Sequence, residues 1–233
     1  MPPLYNWNGF YVGLNGGYGW TNVDAGIVAV GPASIADFGA VGLDSHARGA
    51  VFGGQLGYNW QLSPNWVLGF EGDFDGAGIT GTAAAVTTSG LNGGATDGFL
   101  ATERLNWLAT IRGRIGYTWG NGLFYFTGGG AWENSTHNIL VSTNTLFGIV
   151  SNSAAASFDT TRSGFVLGLG YEWLIAQNWT ARLEYLNYDF SSNGGNGVTF
   201  TFPTCARAGG CGAIGTASER DLSVIRVGAN YKF

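Results

Sequence analysis

Hydrophobic and polar residues alternate one by one through eight separate stretches of the chain. In residues 8–20, Phe10, Val12, Leu14, Tyr18 and Trp20 share one parity, and Tyr11, Gly13, Asn15 and Gly17 the other. Residues 48–61 set Phe52, Leu56, Tyr58 and Trp60 against Gly53, Gln55, Gly57 and Asn59. Residues 66–75 set Trp66, Leu68, Phe70 and Phe74 against Glu71, Asp73 and Asp75. In residues 103–119 the apolar set is Leu105, Trp107, Ile111, Ile115, Tyr117 and Trp119, opposed by Asn106, Thr110, Arg112 and Arg114. Residues 123–132 oppose Phe124, Phe126 and Trp132 to Tyr125 and Thr127, and residues 162–173 oppose Phe165, Leu167, Leu169, Tyr171 and Trp173 to Gly168, Gly170 and Glu172. Residues 179–190 oppose Trp179, Ala181, Leu183 and Tyr185 to Thr180, Arg182 and Glu184. Residues 221–233 close the chain with Ile225, Val227, Ala229, Tyr231 and Phe233 against Val224, Arg226, Gly228, Asn230 and Lys232. Successive side chains of a strand point to opposite faces, so this period predicts eight two-faced strands.

The connections sort by length. Ser63-Pro64-Asn65, Gly120-Asn121-Gly122 and Ala176-Gln177-Asn178 are short turns, the second a hairpin signal. The stretches around 21–47, 76–101, 134–161 and 191–219 lack periodicity and read as long loops. Short and long connections alternate strictly. That asymmetry belongs to barrels of the outer membrane, with tight turns at the periplasmic rim and long loops outside. Aromatic residues recur near the short-turn ends: Trp60, Trp66, Trp119, Phe124, Trp173, Trp179 and Phe233. They predict a girdle where amphipathic rings favour the headgroup boundary. The expected fold is all-β, a single domain over residues 1–233. It is an eight-stranded antiparallel up-and-down transmembrane β-barrel with short periplasmic turns and four long extracellular loops. Residues 1–7 form a periplasmic segment, and the last strand pairs with the first.

The other face predicts the interior. It offers Glu71, Asp73, Asp75, Glu172 and Glu184 against Arg112, Arg114, Arg182, Arg226 and Lys232. An eight-stranded barrel is about filled by its own side chains, and charges removed from water must be paired. Inward glycines leave room for the long arginines. The interior is therefore expected to be plugged by ion pairs, a feature of structure and not of a wide pore. On the lipid face, Leu183→Arg is expected to cost about 2–4 kcal/mol.

Composition narrows the alternatives. Charged residues are only 11% of the chain while Gly numbers 41 and Trp nine, which suits a chain with little solvated surface. The net charge of −5, without a basic run, gives no footprint for nucleic acid. No apolar stretch reaches the length of a spanning helix, leaving a closed barrel as the way across a bilayer. Met1-Pro2-Pro3 does not begin a signal peptide, so export is inferred from the barrel.

Motifs of chemistry are few. Gly76, Gly78 and Gly81 fit a dinucleotide fingerprint, with Asp97 beyond, and residues 210–215 give a second match. No helix pattern follows either, so no helix N-terminus is available for a pyrophosphate. The two histidines, His46 and His137, fall in or beside long loops. Together they could hold haem or a metal at the extracellular rim; solvated loop histidines are the simpler reading. With no inward His on a strand, a nucleophile, base and orienting group in the wall is not expected. Cys205 and Cys211 are too few for a metal site, and an oxidising location favours a disulfide between them. No cofactor is expected.

The stretches WNGFYVGLNGGYGW, LNWLATIRGRIGYTW, GFVLGLGYEW, NWTARLEYLNYDF and VIRVGANYKF together resemble the small OmpA-like outer-membrane β-barrel family. The likeness is nearest to its alpha-proteobacterial branch of outer-membrane immunogenic proteins, and it spans all eight strands. It implies a signal-cleaved precursor of a Gram-negative bacterium and insertion by the outer-membrane assembly machinery. It also implies contact with lipid and lipopolysaccharide, and an assembly signal at Tyr231 and Phe233. The function expected is structural and not enzymatic: a barrel supporting envelope integrity and displaying loops, as a surface antigen, to an external protein, host or phage. A narrow porin passing small solutes or ions is the alternative.

Overall fold

The computed structural model describes residues 5–30, 41–89, 95–144, 151–190, 198–202, 211–217 and 221–233. Ten strands form along them: β1 (Gly9–Val30), β2 (Val41–Gln61), β3 (Trp66–Ser89), β4 (Ala95–Trp119), β5 (Gly122–Asn144), β6 (Ser151–Ala176), β7 (Trp179–Asp189), β8 (Val198–Phe202), β9 (Cys211–Ala217) and β10 (Asp221–Lys232). Eight of them make an antiparallel ring in the order β1 to β7 and then β10, which returns to β1. The seam runs in unbroken register from Tyr11↔Lys232 to Thr21↔Leu222, as the alternation of the last strand predicts. Closure leaves the spanning part of the sheet without a free edge, which a strand structure in lipid requires.

Three tight turns share one rim with the chain's described ends. Leu62 N–H donates to the Trp66 carbonyl at 2.9 Å, and Lys232 N–H to the Asn178 carbonyl at 2.8 Å. Gly120 opens the β4–β5 turn at a φ of 59°, where a two-residue hairpin needs a residue free of Cβ.

The strands run well past the stretches that alternation marks. Parts of residues 21–47, 76–101 and 134–161, expected as loops, continue the ladder outward, from Val23↔Ser45 to Ile27↔Val41 for example. In the fourth connection β8 and β9 form a hairpin, and β9 takes the β1 edge above the point where β10 begins, from Ala25↔Ala217 to Val30↔Gly212. Beyond the bilayer both faces of a strand can be wet, so the backbone ladder persists while the in-out pattern lapses.

One side-chain assignment reverses. Leu105 is buried inside, and Asn106 faces outward, where its Nδ2 donates to Asn134 Oδ1 at 2.9 Å and Thr136 Oγ1 at 2.8 Å. The β4–β5 register shifts between Leu105 and Trp107, and the inserted residue flips the parity of everything beyond it. The Gly76–Gly81 fingerprint lies within β3 and opens no helix.

Candidate functional site

Four layers fill the barrel from the short-turn rim upward. At the bottom, residues 5–8 fold across the mouth and seat Trp7, only 2% exposed, among Val67, Leu123 and Tyr125, with Tyr5 packed against them. Trp7 N–H donates to Gln61 Oε1 at 2.9 Å, and the Tyr5 ring meets it edge-on at 4.9 Å. Of the segment expected to be periplasmic, Tyr5 and Trp7 thus form a cork.

The charged layer follows. Arg112 reaches Asp73 at 2.8 Å and Glu184 at 3.0 Å, and lies within an ion-pair distance of Glu71 as well. Arg182 binds Glu71 at 2.6 Å. Arg226 bridges Asp75 and Glu184, each at 2.7 Å, with Asp73 at 3.2 Å. Arg114 pairs with Glu172 at 3.1 Å, and its guanidinium lies 4.7 Å and 5.1 Å from the ring centres of Tyr11 and Tyr125. Neutral groups add further hydrogen bonds to the carboxylates. Tyr11 donates to Glu71 at 2.7 Å, Thr110 to Asp73 at 2.6 Å, Asn15 to Asp75 at 3.0 Å and Asn230 to Glu172 at 2.8 Å. The side chains of Arg112, Arg182 and Arg226 have no solvent exposure.

Lys232 stands apart from this layer, contrary to the expectation from its parity. Its ammonium donates to the Asn6 carbonyl and sits 4.8 Å from the Tyr5 ring centre, at the wet rim. Parity sets the face of a side chain and not its height, and Lys232 is the penultimate residue. Five carboxylates therefore face four guanidinium groups.

Each arginine of the layer has a glycine as its cross-strand partner. The pairs are Gly17↔Arg226, Gly69↔Arg114, Arg112↔Gly129 and Gly228↔Arg182. A Cβ on Gly17 would lie 2.2 Å from the Ile225 carbonyl oxygen and 2.7 Å from Arg226 Cβ. Gly17→Val is accordingly expected to destabilise the barrel by about 1–3 kcal/mol. Gly54→Ala, whose Cβ would find its nearest neighbour at 3.5 Å, serves as the control. Urea unfolding of both in lipid micelles checks the difference, and equal midpoints would remove the steric argument.

Above the charges lies an apolar layer that the alternation did not predict. Val51, Ile79, Leu108, Ala131, Val166, Leu186, Tyr188, Leu222 and Val224 form one buried cluster. Its trace in the sequence was available: Val166 between Phe165 and Leu167, or Leu108 beside Trp107, makes runs apolar on both faces.

The top layer is polar. His137 lies on β5, buried and inward, stacked on Phe158 with ring centres 5.1 Å apart. It is therefore not a solvated loop histidine. Burial and nearby Arg162 push its pKa down to about 4, so the ring is neutral at pH 7. His137 Nε2 faces Ser135 Oγ at 3.1 Å and Glu103 Oε1 at 3.9 Å. The hydroxyl and the acid thus meet the same nitrogen of the imidazole, whereas a relay needs the acid on the other, and Ser135 is wholly buried. His46 is exposed on the outer face of β2, so the two histidines do not face each other. Among the described residues, no group of three His, Cys, Asp or Glu side chains converges to hold a metal. The Cys205–Cys211 bridge lies outside the described residues, because Cys205 is not among them.

The outer wall is apolar. Trp60, Trp66, Trp119, Phe124, Trp173, Trp179 and Phe233 are all exposed near the short-turn rim. Tyrosines back several of them, Tyr58 at 4.7 Å from Trp60 and Tyr117 at 5.5 Å from Trp66. Tyr231 lies 5.2 Å from Trp179 and 5.3 Å from Phe233, which places Tyr231 in this girdle as well. A second girdle, not singled out from the sequence, stands higher: Trp20, Phe52, Phe74, Trp107, Trp132 and Phe165, with Phe74 and Trp107 stacked at 5.6 Å. The intervals from Trp60 to Phe52 and from Trp173 to Phe165 match the roughly 9–11 residues of a tilted strand crossing a bilayer core.

Comparison with known proteins agrees with this geometry. The model of the outer membrane protein beta-barrel domain matches residues 3–233. The chain belongs to that family. The 31 kDa outer-membrane immunogenic protein of Brucella melitensis is 34% identical over 237 residues, covering 98% of this chain and 85% of the relative. The 22 kDa outer membrane protein of Rhizobium leguminosarum is 31% identical over 194 residues, covering 82% and 68%. Among solved structures, that of OprG from Pseudomonas aeruginosa aligns over 98% of this chain and 99% of its own, at a TM-score of 0.48 and 10% identity. This family member is an outer-membrane protein, and its eight-stranded ring is the barrel the family description names.

Proposed function

We propose that this family member is a structural, non-enzymatic barrel of the outer membrane. It braces the envelope and presents its extended hairpins to external partners. The observation that carries the reading is the filled bore: a charged layer held between the Trp7 cork below and the apolar cluster around Leu108 above. Such stacking supports rigidity and argues against a route for solute, since an ion crossing it would lose water at two apolar layers with nothing to replace it. The terminal Phe233, exposed in the lower girdle, and the half-buried Tyr231 beside it suit recognition by the assembly machinery before the seam closes.

Planar-bilayer recordings of the purified chain test the reading. No steady channel openings are expected at physiological salt. Resolved unitary steps would instead favour a narrow porin and sink the sealed-barrel proposal.

A further inference from the structure

The charged layer does not balance. Five carboxylates face four guanidinium groups, which leaves one negative charge in excess. None of these residues is more than 7% exposed. Lys232, whose parity promised the fifth cation, sits at the wet rim instead. A net charge shut between the Trp7 cork and the apolar cluster has little water to spread into, so it calls for a bound counter-charge.

Two oxygens of the same layer lack donors among the described residues. Asp73 offers its Oδ2 to Thr110, Arg112 and Arg226, while its Oδ1 accepts nothing. Asn15 Oδ1 is the other. A relay of amides decides which end of Asn15 carries that oxygen. Asn230 Nδ2 donates to Glu172 at 2.8 Å, and Gln55 Nε2 donates to Asn230 Oδ1 at 2.7 Å. Asn15 Nδ2 then donates to Gln55 Oε1 at 2.8 Å and to Asp75 Oδ1 at 3.0 Å. Starting from a carboxylate, each amide must turn its nitrogen to the group before it, and Asn15 ends the relay with a bare oxygen.

Both bare oxygens belong to one patch of the bore. Gly53 on β2 is the cross-strand partner of Asn15 and of Asp75, and Gln55, which holds the Asn15 amide, is that of Asp73. Gly53 brings no side chain into the space between, and a Cβ there would collide with Asp75 Oδ1. The donors without acceptors in this layer, Arg114 Nη2 and Arg182 Nε and Nη2, belong to guanidinium groups that already hold Glu172 and Glu71.

The charge and the two oxygens have one common answer. A proton balances the charge but reaches a single oxygen. A water can donate to both oxygens but balances nothing, and a divalent ion would overshoot. A monovalent metal cation meets both demands, and carboxylate and carbonyl oxygens are the ligands that hard cations take. We infer that Asp73, Asn15 and Asp75 bind one monovalent metal cation, sodium or potassium, inside the charged layer. The ion enters as the ring closes, because afterwards the cork and the apolar cluster bar its way.

Refolding the full chain from urea into nonionic micelles tests the site, because unfolding opens the layer to solvent. Folding equilibria are compared at one ionic strength in sodium, potassium and tetramethylammonium chloride, the last ion being too bulky for the layer. Sodium or potassium is expected to favour the folded state. Above its dissociation constant, each tenfold rise in that ion, exchanged for tetramethylammonium, should multiply the folding constant about tenfold. Asp75→Asn leaves four charges of each sign and should remove the dependence. Asn15→Leu keeps the charge but deletes one oxygen, and should move the dependence to higher concentration. Heat-modifiable migration establishes that each variant is folded; should Asp75→Asn fail to fold, the wild-type series and Asn15→Leu decide. A wild-type folding constant indifferent to the choice of cation would overturn the site and leave a proton or a water in the layer. An equal dependence in wild type and both variants would overturn it too, as an effect of salt on the surface. Channel recordings read the bore and not the ion, so a flat cation series leaves the sealed-barrel reading standing.

Discussion

Replacing Arg226 by methionine is expected to destabilise the folded barrel by about 3–5 kcal/mol, the range for removing one partner of a buried ionic network. The guanidinium bridges Asp75 and Glu184 at 2.7 Å each and reaches Asp73 at 3.2 Å, with no exposure to water. Methionine keeps much of the volume, so the loss is electrostatic and not a cavity. Of the three carboxylates, Asp75 has the fewest other donors: Asn15 remains at 3.0 Å, whereas Asp73 keeps Thr110 and Arg112. Adding Asp75→Asn to Arg226→Met should therefore recover part of the loss, a non-additivity expected of direct partners. Urea titration of the reconstituted protein measures both. A loss below about 1 kcal/mol for the single variant would mean that the layer contributes little to holding the ring. Lys232→Met provides the contrast. Its ammonium sits at the wet rim over Tyr5, and a change within about 1 kcal/mol is expected there.

The contrast between Arg226 and Lys232 also marks what was legible in the sequence. Alternation places both on the inward face, and both do point away from lipid. Height within the bore depends on strand tilt and register, which set Arg226 beside Glu184 on β7 and Lys232 beside Tyr11 at the mouth. The eight spanning strands, the three tight turns and the seam were readable because the bilayer imposes in-out alternation wherever it touches the sheet. Two groups of residues lay outside that constraint. The hairpin extensions, as around Ile27↔Val41, stand in water and keep the ladder without the pattern. The apolar layer of Leu108, Val166 and Leu186 faces the bore next to lipid-facing Trp107, Phe165 and Tyr185, so both parities are apolar and period two is erased. His137 was misplaced for the first of these reasons. Its strand continues from Trp132 through Ser135, but with polar residues on both faces there was nothing to mark it.

The cross-strand glycines link these layers. A guanidinium needs depth in a bore that eight strands leave nearly full, and a glycine opposite each arginine supplies it. Charge layer and seam are coupled at Gly17↔Arg226: the pair that closes the ring also seats the arginine joining Asp75 on β3 to Glu184 on β7. Closure and core formation are then a single event for β10, which suits a strand that enters the ring last.

On the opposite surface, Leu169→Arg is expected to cost about 2–4 kcal/mol, the range for arginine at the bilayer midplane. Leu169 lies midway between Phe165 in the upper girdle and Trp173 in the lower, and its side chain is 44% exposed on the outer wall. An arginine there has the longest climb to either interface and the least chance to reach water along its own stem. Leu183 is equally exposed, but its cross-strand partner on β6 is Tyr171, two residues nearer the lower girdle than Leu169. An arginine at 183 can extend toward the headgroups, so its cost should fall below that at 169. This lowers the sequence-based expectation for Leu183→Arg. The two substitutions add the same charge to the same face, so their difference isolates depth from burial and strand propensity. Reversible unfolding in phospholipid vesicles, with Leu169→Ala and Leu183→Ala as references, measures it. Equal costs at the two positions would place the bilayer midplane elsewhere along β6 and β7. Costs near zero at both would mean that the wall between the two girdles does not face lipid.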